Sequence, residues 1–157
     1  MQAYDMIRKM IPKDLFTFKE DATYIEQAQH LISQCHPAAT AMRLVSLGGE
    51  TAEAEIPYAQ SNRALHGLMH GGCYFTVGDT ITALMSFYHV ENEAETTLTM
   101  GASIRYLRPI RNDTVRAVAR LKSKAGKRLN FVCDFYNEAN QRAAQAKYQY
   151  VLAQPGQ

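Results

Sequence analysis

The chain has 157 residues, of which 46% are hydrophobic and 20% are charged; 17 basic and 15 acidic side chains leave a net charge of only +2. This is the composition of one ordinary globular domain, and it excludes a disordered or low-complexity chain. The near balance of charge argues against a dedicated nucleic-acid-binding protein, which normally carries a clustered excess of Lys and Arg.

The cysteines Cys35, Cys73 and Cys133 are odd in number and widely spaced, and no CxxC pair occurs. We therefore predict neither a metal site nor a disulfide framework, and we expect reduced thiols in the cytoplasm. Residues 1–20 contain no apolar run of signal-peptide length, and no uncharged apolar run reaches the ~18 residues of a membrane span. We expect no membrane partner.

Residues 1–20 are interpreted as a leader of mixed character, followed by a single domain over residues 21–157. Apolar positions from Ala22 to Cys35 recur with the 3.6-residue period of an amphipathic helix. Asp21 is its predicted N-cap and His36-Pro37 its stop signal.

Two short strands are predicted next, over Ala41–Leu47 and Thr51–Ile56, and the intervening Gly48-Gly49 pair predicts a hairpin. After a polar loop, an almost entirely apolar run from Cys73 to Val90 follows Gly71-Gly72. Asp79 and Thr80 lie three and four positions after Thr76, and Ser86 lies seven positions after Asp79, so these polar residues form one narrow stripe. This pattern predicts a buried helix.

Beyond an acidic loop, the pattern changes to period-two alternation. It is kept over four segments: Thr97–Arg108, Val115–Lys124, Leu129–Tyr136 and Ala143–Leu152. Such strands, joined by short turns, predict an antiparallel sheet with one buried face. The predicted fold class is therefore α+β, a meander of about six antiparallel strands wrapped around a central buried helix.

The start of the buried helix and Asp79 are the candidate chemical groups. A helix N-terminus offers unpaired N–H groups and a partial positive charge, and Gly71 and Gly72 leave room for a carbonyl oxygen that becomes negative during acyl transfer. Asp79 can act as a general base on water or as a nucleophile. A tight turn is the alternative interpretation of the two glycines, and a structural hydrogen-bond acceptor is the alternative for Asp79. His70 is interpreted as an orienting or structural residue.

His70-Gly71-Gly72, Asp79 nine residues after the histidine, and Tyr106-Leu107-Arg108-Pro109 at a strand end together resemble the hotdog-fold acyl-CoA thioesterases of the PaaI type. The order of elements agrees from about Ala22 to Leu152. The resemblance implies a hotdog fold and hydrolysis of an acyl-CoA thioester to CoA and a free acid, without a metal or redox cofactor. It also implies a homodimer, or a homotetramer built as a dimer of dimers.

Two further positions are compared with the family pattern. Thr99 holds the place of a Ser or Thr that supports the catalytic water, although threonine is also a common strand residue. The family asparagine six residues before the histidine corresponds to Ala64 here, so either Asn62 replaces it or that contact is missing.

Helix geometry leads to a dimeric active site. Gly72 and Asp79 are seven residues apart, which is about 10 Å along a helix axis. One thioester carbonyl cannot reach both on the same helix. We therefore predict a site between two copies, with the glycines of one chain facing Asp79 of the partner subunit.

Two groups of basic residues are candidates for binding the CoA phosphates, since Arg and Lys are the usual phosphate partners. One surrounds the Gly126 turn and the other lies near Pro109. The predicted contacts are Arg108, Lys124, Lys127 and Arg128, with a solvated hairpin tip as the alternative for any single lysine.

The leading interpretation is an acyl-CoA thioesterase. A non-catalytic acyl-CoA-binding hotdog protein, acting as sensor or scaffold, is the alternative, and the departure at Ala64 favours it. A hotdog dehydratase or hydratase fits less well, because no matching pair of His and acidic residue is found. Aromatic residues of the buried helix either line an acyl or aryl pocket or belong to the core: Tyr74, Phe75, Phe87 and Tyr88.

Overall fold

A computed structural model describes residues 3–154. Its α-helices are α1 (Ala3–Met10), α2 (Tyr24–Ile32) and α3 (Gly71–Ser86). Its strands are β1 (Arg43–Leu47), β2 (Thr51–Ile56), β3 (Thr96–Tyr106), β4 (Val115–Ala125), β5 (Arg128–Tyr136) and β6 (Arg142–Ala153). The six strands form one antiparallel sheet in the order β1-β2-β4-β5-β6-β3, and α3 lies against it in contact with every strand.

The core lies between α3 and the sheet. Ile81 and Met85 of α3 are fully buried in the same core as Phe131 and Phe135 of β5 and Tyr148 of β6. These strand residues come from alternate positions, as the period-two pattern requires. The predicted α+β class, with an antiparallel sheet around a buried helix, is confirmed.

The position of β3 corrects the predicted meander. β3 does not pair with β4, the next strand in the chain, but crosses the sheet to pair with β6 at the edge. Alternation identifies a strand but does not determine its neighbour. One long side of β3 therefore has no strand beside it within the described chain, and Leu98 and Met100 are about half exposed.

The start of α2 is also corrected. Thr23, not Asp21, is the N-cap: its hydroxyl accepts the N–H of Glu26, and the Glu26 carboxylate accepts the N–H of Thr23. This reciprocal capping box satisfies two donors at once, which a cap by Asp21 would not do. Asp21 instead adopts a left-handed conformation (φ 52°) in the preceding turn. The helix ends at Ile32, and a separate 3₁₀ turn covers His36–Thr40.

The N-terminal segment contains a helix that the sequence pattern did not identify. Met6 and Ile7 of α1 are fully buried in the same core as α2 and α3. α1 thus packs on the domain and covers part of its helical side. No helix within residues 3–154 has the length and hydrophobicity needed to cross a membrane.

Candidate active site

The N-terminus of α3 is held by its own histidine. His70 is the N-cap residue, and its Nδ1 accepts the N–H of Gly72 at 2.8 Å. The hydroxyl of Tyr106 donates to the Gly71 carbonyl at 2.9 Å. The contact with His70 occupies the Gly72 amide, and the contact with Tyr106 occupies the Gly71 carbonyl. Within residues 3–154, the Gly71 N–H makes no hydrogen bond, so it is the donor available at this helix end.

A groove of about 620 Å³ runs past this helix end. Ala64, Tyr74, Tyr106 and Arg108 contribute to its walls, together with Gly71 and Gly72 themselves. The close approach of Tyr106 explains the glycine, because a Cβ at position 71 would lie 2.9 Å from the tyrosine ring. The first glycine of the pair therefore faces an open groove and an aromatic wall.

Asp79 lies two turns further along α3, half-buried, with one carboxylate oxygen anchored. Its Oδ1 accepts the hydroxyl of Tyr150 at 2.9 Å and the hydroxyl of Thr99 at 3.3 Å. Tyr150 Oη also lies 2.8 Å from the Asp79 main-chain oxygen and 2.9 Å from Thr82 Oγ1. In the described chain Oδ2 accepts no hydrogen bond. This arrangement orients the carboxylate and leaves one oxygen for a water or a substrate.

Tyr150 is a site residue that the sequence pattern placed only in the core. Burial, with the nearby Asp79 carboxylate, raises the pKa of Tyr150 above its ordinary value of about 10. The phenol therefore stays protonated at physiological pH and remains a hydrogen-bond donor. The alternation of β6 put Tyr150 on the buried face, but nothing in it indicated a polar partner.

Asn62 is almost fully buried and fully used by the loop before α3. Its amide nitrogen donates to the carbonyls of Thr40 and Pro57, both at 2.9 Å, and its Oδ1 accepts the N–H of Ala59 at 3.0 Å. Its main-chain oxygen accepts the His70 N–H at 2.8 Å. The observed contacts of Asn62 thus shape the loop that presents His70, while Ala64 lines the groove.

Two of the basic residues near Gly126 are paired with acidic side chains. Lys124 and Lys127 form ion pairs with Glu91 at 3.3 and 3.0 Å, and Lys127 also contacts Glu95. These hydrogen bonds raise the pKa of Lys127 and lower the pKa values of both glutamates. The acidic loop before β3 folds back onto the hairpin, a contact between segments more than thirty residues apart in sequence.

Arg108 and Arg128 lie at opposite ends of the sheet. Arg128 is opposite Val151 in the register of β5 with β6, whereas the other end of that pair brings Tyr136 opposite Arg142. Arg108 donates to the main-chain oxygen of Arg142 at 3.1 Å and lines the groove beside Gly71. Arg108 is thus the predicted phosphate-binding residue that lies beside the start of α3 in the same chain.

The remaining predictions concern the aromatic residues of the buried helix, the cysteines and possible metal ligands. Tyr74 is buried and lines the groove, whereas Phe75 and Tyr88 are partly exposed. The three cysteines are unpaired. Across residues 3–154, His, Cys, Asp and Glu side chains do not form any group of three that could hold a metal ion.

Comparison with solved structures identifies the fold. A thioesterase from Haemophilus influenzae superposes with a TM-score of 0.76 at 21% identity over 89% of this chain and 96% of that chain. A mutant thioesterase from Pseudomonas aeruginosa gives 0.77 at 17% identity over 87% and 98%. A hypothetical thioesterase protein with coenzyme A from Streptococcus pneumoniae gives 0.64 at 17% identity over 72% and 89%. These similarities confirm the predicted hotdog fold.

The sequence itself assigns this hotdog protein to the thioester-hydrolase class. Residues 66–144, which include the α3 start, Asp79 and Thr99 but not Tyr150, match the sequence profile of the Thioesterase superfamily. The chain belongs to this superfamily, and the predicted thioester hydrolase activity is confirmed at that level. No curated protein sequence matches the chain significantly.

Proposed function

We propose that this thioester hydrolase acts on acyl-CoA and releases CoA and a free carboxylic acid. Asp79 serves as general base on water or as nucleophile, and the Gly71 amide stabilises the oxyanion. The observation that carries the proposal is the Asp79 carboxylate, anchored through Oδ1 by Tyr150 and Thr99, while Oδ2 accepts no hydrogen bond from residues 3–154. A fixed carboxylate with one free oxygen is suited to activating a water or attacking a carbonyl.

We further propose that each active site combines two copies of the chain. α3 is one uninterrupted helix from Gly71 to Ser86. Eight residues separate Gly71 from Asp79, which corresponds to about 12 Å along the axis. Since one carbonyl cannot meet both groups on a single helix, the Gly71 amide must come from the partner subunit.

The edge strand β3 supports this arrangement. Thr99 contacts Asp79 and Tyr106 contacts Gly71. Because the register of β3 shifts between Thr99 and Gly101, each of the two lies three ladder positions from Ser103. A two-fold axis at Ser103 would place Thr99 opposite the partner subunit's Tyr106 in an antiparallel ladder. Self-pairing of this exposed edge would therefore bring Asp79 of one copy towards Gly71 of the other.

The CoA portion of the substrate is proposed from chemistry and similarity. Arg108 lines the groove beside Gly71, and a guanidinium group is suited to phosphate. One of the similar structures contains coenzyme A. The His-Gly-Gly helix start and the distant Asp79 favour an enzyme of the PaaI type, with CoA as part of the substrate and with no separate cofactor.

The test measures thiol release from a panel of acyl-CoAs by the purified protein. Asp79→Asn should lower kcat at least ~100-fold, the lower end of general-base contributions. Asp14→Asn, at an exposed acidic position, is the matched control and should retain activity. Release of CoA at the wild-type rate by Asp79→Asn would contradict the proposed mechanism.

Subunit complementation tests the shared site. Gly71→Pro removes the proposed amide donor at a helix position that accepts proline, whereas Gly71→Ala adds a Cβ and keeps the N–H. Asp79→Asn and Gly71→Pro should each be inactive alone. Co-expressed, they should recover about one quarter of wild-type activity, because half of the randomly formed dimers hold one intact site. No recovery in mixed dimers of confirmed composition would contradict a site built from two chains.

A further inference from the structure

A second cavity, of about 270 Å³, lies on the helical side of the domain next to Asp79. Its walls come from the N-terminal segment, α2, the following turn and α3. All residues that line it in the described chain are apolar except Asp79 and Thr80. The proposed reacting carboxylate is therefore adjacent to an apolar space that the groove at the start of α3 does not share.

The N-terminal segment supplies one wall of this cavity. Ile7 of α1 is fully buried, and Ile11 and Phe16 are partly buried where they follow it. Opposite them, α3 presents Ala83 and Leu84. Bulky residues on the N-terminal side and a small one on α3 leave the space between them unfilled, although protein interiors are normally closely packed.

We propose that this cavity receives an aliphatic acyl chain of medium length, and that Ile7, Ile11 and Phe16 limit the length it accepts. The inference rests on the proposed function, because it places the thioester carbonyl at Asp79 and the chain beyond it. At ~30 Å³ for each group of water size, the cavity volume holds about nine such groups. Since a methylene is close to this size, the cavity fits a chain of about eight to ten carbons.

The chemistry of the walls favours an unsubstituted chain. The polar side chains, Asp79 and Thr80, are neighbours on α3, and the rest of the lining is aliphatic and aromatic carbon with the thiol of Cys35. Hydroxyl or amino groups along the ligand would lose water without gaining hydrogen bonds there. A saturated chain, in contrast, gains favourable burial with each methylene until the cavity is full.

The experiment measures binding without turnover. S-alkyl-CoA thioethers with chains of 4 to 16 carbons cannot be hydrolysed, and their affinities are determined by titration calorimetry. Wild-type affinity should rise about fourfold per added methylene, which is about 0.8 kcal/mol each, and level off near eight to ten carbons. Hydrolysis of the matching acyl-CoAs is measured in parallel.

Two pairs of variants locate the chain. Ala83→Leu adds three carbons to the cavity wall and should move the plateau about three carbons shorter. Its control, Ala38→Leu, is at an exposed position outside the cavity and should leave the profile unchanged. Ile11→Ala removes three carbons and should lengthen the accepted chain, whereas Ile25→Ala, on the side of α2 that lines a different groove, should not.

The two proposals fail in different ways. A plateau that stays in place in both Ala83→Leu and Ile11→Ala would overturn the cavity assignment even if acyl-CoAs are hydrolysed normally. A plateau that shifts as expected would support the cavity assignment even if no acyl-CoA in the panel is hydrolysed. Absence of hydrolysis would instead overturn the proposed hydrolytic function.

Discussion

The Tyr150 hydroxyl lies 2.9 Å from Oδ1 of Asp79 and 2.8 Å from the main-chain oxygen of the same residue. One buried phenol from β6 thus contacts both the carboxylate and the turn of α3 that carries it. Because its pKa is raised, this donor is retained across the neutral pH range. Tyr150 is therefore a positioning residue for the proposed base or nucleophile.

Replacing this phenol tests the positioning role. Tyr150→Phe should lower kcat about tenfold with little change in KM, because a misaligned carboxylate affects the reaction more than substrate binding. Steady-state kinetics with an acyl-CoA substrate provide both constants.

Tyr148→Phe is the matched control. Tyr148 is also fully buried on β6 and donates to α3, but to the carbonyl of Phe75 at 2.7 Å rather than to Asp79. Its removal should lower stability by a similar amount while kcat stays within about twofold of wild type. Equal losses of kcat in both variants would show that Tyr150 acts only through stability.

The dimer arrangement predicts a charge effect at the middle of β3. Ser103→Glu should weaken the dimer and lower activity, since like charges opposite each other destabilise a strand pair. Ser103 is exposed on the β3 edge, and Ser46 is an exposed serine on β1, the opposite edge of the sheet. Ser46→Glu is therefore the control and should leave a dimer. Light scattering across a dilution series gives the mass.

Charge complementation extends the same test. An equimolar mixture of Ser103→Glu and Ser103→Lys should form mixed dimers and regain activity, because opposite charges at the two-fold axis attract. A Ser103→Glu protein that remains dimeric and active at every concentration would contradict pairing through β3.

Arg108, which lines the groove, and Lys127, which is ion-paired, should differ in their effect on CoA recognition. Arg108→Ala should raise KM for acyl-CoA at least about tenfold, since a hydrogen bond to a charged group contributes about 1.5–3 kcal/mol. Lys127→Ala should leave KM nearly unchanged, because Lys127 is already paired with Glu91 and Glu95. The corresponding acyl-pantetheine thioesters lack the nucleotide phosphates and should be insensitive to both changes. A larger effect for Lys127→Ala would reverse this assignment.

Local patterns in the sequence were sufficient to predict α3 and the period-two strands, because a helix start and strand alternation are encoded by neighbouring residues. The partner of β3 was not predictable in this way. Its pairing with β6 depends on a crossover between strands that begin more than forty residues apart. Local patterns also do not reveal the partners of Lys127, because its acidic partners come from a distant loop. They do not reveal the role of Tyr150 either, because the alternation of β6 is equally compatible with a plain core residue at that position.

The contact between Gly78 and Tyr148 provides a stability test of how α3 packs on the sheet. A Cβ at position 78 would lie 2.7 Å from Cε2 of Tyr148, and a fully buried ring has little room to move. Gly78→Ala should therefore lower the free energy of unfolding by about 1–3 kcal/mol, as expected for overpacking of a close-packed core. Urea denaturation followed by circular dichroism measures the change. At Gly101 a Cβ would meet its nearest atom, Oε1 of Gln149, at 3.6 Å, so Gly101→Ala should change stability by less than about 0.5 kcal/mol. If the two alanine variants were equally stable, the close approach of α3 to β6 would be wrong.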